Sequence, residues 1–423
     1  MNSNYQITNQ KDIIMIYVCI LLILSLSPLA KITVFFSIPL FLVVFQKTLL
    51  KYNAIYKKIN SLTYILIIGL FMGLFKFMDK GNLYYFLRDT IYFIQAPIYI
   101  LLGFYLGLKH FRYKILMKLI ILIQFFMVLK GISDFLLNPY LLLNLNIQQT
   151  YALGLKFSGS VLSFAIVYYS KIYKINLFSK FILTFLFWFF LFGILISLSR
   201  TSYVLVLITF LIPKLIKFKF TNKVFFISIL SILFLLFGGR FINSSKSRDY
   251  YDVSFKNKIV NSLDEILIKN YYTAAEINNN FRGYEANLGL TKYFEGNFFE
   301  VLLGHGFGTV VKTPFWIFQG EKLEIIPMFH NGYITILLKT GLLGLSIFFI
   351  FLYKLLNVGL LKYNDKQDNN QTFFGVFIIL IIFMVLFRTL VIHGIFTTTV
   401  DVALLIFLGA NLNWLKFKYL KNL

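Results

Sequence analysis

TFFGVFIILIIFMVLFRTLV, residues Thr372 to Val391, is a run of twenty residues whose single charge is Arg388. About 20 predominantly apolar residues in a helix cross a bilayer's hydrocarbon core, so this stretch reads as a membrane span and decides the fold. Working outward, comparable segments fall at roughly 13–30, 32–46, 62–79, 89–108, 115–132, 157–171, 181–198, 201–216, 223–238, 330–356 and 396–415. The second and sixth of the twelve are short enough to be tilted or partly re-entrant. The 423-residue chain is 59% hydrophobic and 19% aromatic, too apolar for a soluble protein of this size. The predicted fold class is therefore an all-α polytopic membrane protein of about twelve transmembrane helices. The first segment does not read as a signal peptide, because its apolar run is long and a second follows directly after Lys31.

The net charge of +24 suggests nucleic acid until its placement is read. Lys47, Lys51, Lys57 and Lys58 share one connection, and Lys109, Arg112 and Lys114 another. Lys171, Lys174 and Lys180 follow, then Lys214, Lys217, Lys219 and Lys223. Lys362 and Lys366 come later, and Lys416, Lys418 and Lys421 form the tail. These are alternate connections, all on one side if both termini are cytoplasmic, as the positive-inside rule requires. The basic character is thus topological, and nucleic acid is not an expected partner. Three regions result: an N-terminal bundle of about nine helices over 1–238, a long extracytoplasmic loop over 239–329, and about three helices over 330–423. From Gly239 to Pro327 the loop carries ten basic and ten acidic residues; loops of this length are functional or disordered. Helical spacing of Ile259, Val260, Leu263, Ile266 and Leu267 predicts an amphipathic surface helix near 256–269. A second helical pattern runs through Tyr284, Leu288, Thr291 and Phe294.

Few groups in such a chain can do chemistry. His330 and Asn331 stand where the long loop meets the tenth span, at a helix N-terminus that attracts anions. An imidazole there can take a proton from a hydroxyl, although a lone histidine at a helix start is as often a cap. Gly341 and Gly344 behind it allow close helix packing. Arg200, in Ser199-Arg200-Thr201, reads either as an interfacial arginine that snorkels or as a phosphate ligand. Arg282 alone reads as one solvated charge among ten. The turn Gly304-His305-Gly306-Phe307-Gly308 lets a backbone approach a ligand closely, as any tight turn does, and it lacks the context of a nucleotide fingerprint. Arg388 and Asp401 lie near the outer ends of the last two spans and read first as a mutual pair, as do Arg88 and Asp89. Cys19, the sole cysteine, excludes a disulfide within the chain. The sequence holds no metal-ligand spacing, no Asp-x-Asp pair and no Walker loop, so neither metal nor nucleotide cofactor is expected.

Taken in order, these residues resemble the O-antigen ligase and Wzy-type polymerase superfamily of bacterial envelope polysaccharide synthesis. The ligase-type pattern of His, then Asn, Ser or Gln, nine residues, Gly, two residues and Gly is met by His330, Asn331, Gly341 and Gly344. The Ser-Arg-Thr opening of a span is matched by Ser199-Arg200-Thr201, with Val204 where leucine is frequent. The loop arginine before a helix and a Gly-x-Gly-x-Gly turn are matched by Arg282 and by Gly304, Gly306 and Gly308. The match covers roughly Leu195 to Leu352. The resemblance implies a GT-C-like membrane glycosyltransferase in the bacterial inner membrane, using an undecaprenyl-pyrophosphate-linked glycan as donor. Its acceptor is a lipid-linked repeat, as in a polymerase, or lipid A core, as in a ligase of lipopolysaccharide assembly. It further implies that Arg200 and Arg282 clamp the pyrophosphate, that His330 is the base, and that Asn331 and Tyr333 orient it or a sugar hydroxyl. Ser199 and the three turn glycines are the other expected substrate contacts, and Arg388, Asp401 and Arg88 possible contributors. A flippase or transporter is the competing class, but it predicts paired half-chains, and no internal repeat is present. A non-catalytic scaffold leaves the polar loop–helix junction without a purpose.

Overall fold

The computed structural model describes residues 53–80, 83–107, 113–137, 157–197, 199–219, 221–238, 268, 271, 277, 280–313, 317–318, 321–322, 324–364, 368–396 and 402–413. The first two expected spans, Cys19, Asp401 and nearly all of the expected helix 256–269 lie outside them. The described chain is overwhelmingly helical. In order it runs α1 (Asn53–Lys80), α2 (Leu83–Leu106), α3 (Tyr113–Leu137), α4 (Phe157–Ile172), α5 (Lys180–Ile196), α6 (Arg200–Lys217) and α7 (Thr221–Leu233), the last ending in a π turn, Phe234–Gly238. The long connection then contributes α8 (Phe281–Phe294), α9 (Phe298–Leu303) and strands β1 (Val311–Lys312), β2 (Ile317–Phe318), β3 (Glu321–Lys322) and β4 (Ile325–Ile326). Helices α10 (Gly332–Asn364), α11 (Asn369–Val391) and α12 (Val402–Asn413) follow. The strands make two small antiparallel pairings, β1 with β4 and β2 with β3. The helical pattern through Tyr284 and Phe294 is thus α8.

Among the described residues, four helices are long and apolar enough to cross a membrane: α2, α3 over Tyr113–Ser133, α10 and α11. Shorter apolar helices, such as Ile59–Phe75 and Lys180–Ile196, accompany them. Polar residues set the helix ends. Ser179 starts α5 by accepting from the Ile182 amide, Asp368 starts α11 by accepting from Asn370, and Asn297 and Glu300 make a reciprocal capping box on α9.

The core centres on α11, the most completely buried of the four candidate spans, packed against α10 and α6, while α2 packs on α12 and α1. Small residues bring backbones together where water is absent and dispersion must hold helices in contact. A Cβ on Gly103 of α2 would meet the Ile406 carbonyl oxygen at 1.9 Å, and one on Gly409 of α12 would meet the Ile100 oxygen at 1.9 Å.

One expectation changes. The sequence predicts a single span over 330–356, yet α10 is two helices joined at Gly341, which has φ 66° and ψ −170°. In a straight helix Tyr333 and Phe348 would be separated by about 22 Å along the axis. Their ring centroids are 6.2 Å apart, and Tyr333 also lies 5.7 Å from Phe349. The helix therefore bends sharply at Gly341, and the short limb beginning at Gly332 leans back on the long one. The long limb, from Leu342 to Asn364, rises about 34 Å and suffices for a full crossing by itself.

Candidate functional site

The short limb of α10 delivers His330 to the surface of α8. Glu285 lies one turn after Arg282 on α8, so the two side chains share a face. The Glu285 Oε2 accepts from the His330 amide at 3.2 Å and lies 2.6 Å from its Nδ1. With Nδ1–H donating to the carboxylate, Nε2 is left as the basic nitrogen. The carboxylate side chain is 5% exposed, whereas that of His330 is 37% exposed. The result is a sheltered acid holding a reachable imidazole. Phe281 meets the His330 ring edge-on at 5.9 Å.

A second imidazole completes the group. His393, just past the end of α11, stacks on His330 with ring centroids 4.8 Å apart at 28°. Its Nδ1 donates to the Phe329 carbonyl at 2.5 Å. Burial, then the neighbouring His330 and Arg282, lower its pKa to about 4 against the partial support of the Phe329 bond. The same burial favours the neutral form of His393. The two segments touch closely: a Cβ at Gly332 would stand 2.7 Å from the His393 carbonyl oxygen.

The other expected residues have the following places in the fold. Asn331 is buried, and its Oδ1 accepts from the Tyr333 and Ile334 amides at 3.0 and 3.4 Å, so it caps the short limb instead of facing a sugar. Tyr333 is likewise corrected to a packing role: it is fully buried, and its hydroxyl donates to the Leu386 carbonyl at 2.8 Å. Ser199 starts α6, its Oγ accepting from the Ser202 amide at 3.3 Å and the Ser202 hydroxyl at 3.1 Å. Arg200 is the half-buried first residue of α6. That helix packs on α11, whose last turn carries the half-buried Arg388 and leads on to His393.

The glycine turn does something other than cradle a ligand. All five of its amides donate within the protein: Gly304 to the Glu300 oxygen, His305 to Leu338, Gly306 to Lys339, Phe307 to Gly69, and Gly308 to the Asp89 carboxylate. The carbonyls of Leu338 and Lys339 are those that the bend at Gly341 leaves without helical partners, so the turn satisfies the break. Beneath it lies a charged cluster. Lys339, fully buried, reaches Asp89 Oδ2 at 2.6 Å and also donates to the Thr309 carbonyl. Arg88 binds Asp89 Oδ1 at 2.9 Å and the Pro327 carbonyl at 3.1 Å. Arg88 and Asp89 do pair, as the sequence suggested, and a lysine joins them.

The fold therefore sets Arg282 one turn before the Glu285 that holds His330, while Glu285, His393 and Lys339 are not among the residues expected from sequence. Each left a trace. Glu285 follows Arg282 at helical spacing, His393 is one of only four histidines, and Lys339 interrupts an apolar run at membrane depth. The chain matches no protein-family model, no curated protein and no solved structure.

Proposed function

We propose that the chain is a metal-independent, inverting membrane glycosyltransferase. In this reading it transfers an undecaprenyl-pyrophosphate-linked oligosaccharide to a sugar hydroxyl on the outer face of the bacterial cytoplasmic membrane, polymerising O-antigen, capsular or exopolysaccharide repeat units. The observation that supports it most is the half-exposed His330 imidazole held at 2.6 Å by the buried Glu285 carboxylate, one helical turn from Arg282. A base with its second nitrogen fixed by a carboxylate is the arrangement that proton abstraction from a weakly acidic hydroxyl needs. His330 Nε2 takes the acceptor proton as the acceptor oxygen bonds to the anomeric carbon. The bond from that carbon to the pyrophosphate oxygen breaks with inversion. Glu285 offsets the imidazolium charge, and Arg282, with Arg200, stabilises the departing pyrophosphate. Twelve spans with both termini in the cytoplasm, and a GT-C-like arrangement of them, belong to the same reading. Polymerisation is preferred to transfer onto lipid A core because polymerase acceptors are the more varied.

The test is replacement of His330 by Ala and of Glu285 by Gln in cells, with surface glycan resolved by chain length. Turnover is expected to fall by about 10²–10⁴-fold on loss of the base, leaving single repeats on the core in place of long chains. Loss of all attached glycan, with lipid-linked polymer accumulating, assigns the ligase reaction instead. Normal glycan at normal protein levels refutes the transferase reading.

A further inference from the structure

We propose that the segment from Asn297 to Gly308 inserts into the outer leaflet of the bilayer, with the Phe298 and Phe299 face of α9 in contact with lipid acyl chains. By its place in the sequence this segment belongs to an aqueous loop. Its surface is not that of one: Phe298 is 74% exposed and Phe299 66%. Contiguous exposed apolar surface of this kind marks an interaction site.

Three observations assign the occupant as lipid. The first is depth. The Phe307 ring lies 4.7 Å from Phe93, and its amide bonds the Gly69 carbonyl. Gly69 lies inside the apolar stretch Ile59–Phe75 of α1. Phe93 is ten residues into α2 from Leu83, about 15 Å along the helix. The turn that follows α9 is therefore wedged between two apolar helices, well below their ends. The second is continuity. The Leu302 carbonyl oxygen would lie 2.3 Å from a Cβ on Gly341, and Leu342 and Leu343, which open the long limb of α10, are 45% and 39% exposed. The aromatic face of α9 thus adjoins the outward surface of a membrane-length helix. The third is polarity. The α9 acid, Glu300, turns back to bond the Asn297 amide at 3.0 Å and to approach His305 at 3.3 Å, so its charge is drawn away from the exposed rings. An end closed by a capping box suits a hydrocarbon environment, where unsatisfied amides are costly.

The experiment is site-directed nitroxide labelling of the full chain in phospholipid vesicles, in a Cys19→Ser background, at Phe298→Cys and Phe299→Cys. Leu343→Cys serves as the lipid reference. Glu295→Cys, whose native side chain is 56% exposed and paired with Lys292, serves as the aqueous reference. Collision with dissolved oxygen is expected to exceed collision with a water-soluble nickel chelate severalfold at 298 and 299, as at 343, with the ratio reversed at 295. Labels at 298 and 299 that behave like the one at 295 overturn the proposal. So does low collision with both reagents, which would show that protein, such as a second copy, covers the face. Since native Phe298 and Phe299 are outward-facing, both labels are compatible with folding, and equal elution of all four variants in detergent checks this. None of these outcomes bears on glycan transfer, so the result is independent of that reading.

Discussion

Charge removal at Asp89 and at Lys339 should have unequal costs, although the two form one ion pair. Lys339 is fully buried and has two partners, Asp89 Oδ2 and the Thr309 carbonyl. Asp89 has three: Lys339, Arg88 at 2.9 Å and the Gly308 amide at 2.8 Å. Asp89→Asn leaves a buried ammonium facing only neutral oxygens, and removing one partner of a buried pair costs about 3–5 kcal/mol. Lys339→Met leaves a carboxylate still bound by a guanidinium and an amide. Its cost is nearer the loss of one charged hydrogen bond, about 1.5–3 kcal/mol. The double variant strands no ammonium and should be more stable than Asp89→Asn alone, with a coupling of about 0.5–3 kcal/mol. The measurement is unfolding of the purified chain in mixed micelles titrated with denaturing detergent, comparing midpoints of the four proteins. A Lys339→Met midpoint as low as that of Asp89→Asn, or additive single effects, would refute the asymmetry argument.

Two further outcomes follow from the site. Gly341→Ala places a side chain at φ 66° with its Cβ 2.3 Å from the Leu302 oxygen and 2.4 Å from the Gly304 nitrogen; backbone strain alone costs about 1–3 kcal/mol, and loosening of the 302–306 segment should appear as faster proteolysis there. His393, lowered to about 4 from an ordinary 6.5, binds its proton more readily unfolded than folded. Stability should therefore fall as pH drops from 6.5 toward 4, by up to about 3 kcal/mol, and a His393→Gln protein whose unfolding midpoint keeps the same dependence over that window would show that another group is responsible.

The apolar helices were legible because hydropathy over twenty residues is a sum, insensitive to any one position, and Thr372–Val391 is helical almost to the residue as α11. The bend in α10 was not. Glycine is ordinary in membrane helices, and Gly341 breaks this one only because residues 302–306 arrive to bond the Leu338 and Lys339 carbonyls. That is a long-range condition invisible in the local pattern. For the same reason the Gly304–Gly308 turn looked like a ligand cradle: the spacing shows amides that can donate, and only the fold shows where they are spent. Glu285 resembled its nine acidic neighbours in the loop, because burial, which singles it out, is not a property of sequence. His330 stood out since loop, helix start and residue type coincide at one position.

The bend also explains how a polar group can be held rigidly in so apolar a chain. A straight α10 would carry the loop–helix junction away from α11, and the His330 imidazole would sit on a mobile rim. Folding back at Gly341 presses the start of the short limb against the end of α11, where the Tyr333 hydroxyl bonds Leu386 and Gly332 abuts the His393 carbonyl. That contact forces His393 over His330 and sets His330 against α8. The orphaned carbonyls of the break are satisfied by the glycine turn, which is itself tied by Asp89 to Lys339. The buried ion pair and the imidazole–carboxylate pair therefore stand at the two ends of a nine-residue helix, and loosening the first should release the second. On this argument Lys339→Met, which leaves His330, Glu285 and His393 untouched, weakens the 2.6 Å contact between His330 and Glu285, seen as a changed His330 imidazole resonance. An unchanged resonance in a protein whose unfolding midpoint has dropped would show that the two ends are mechanically separate.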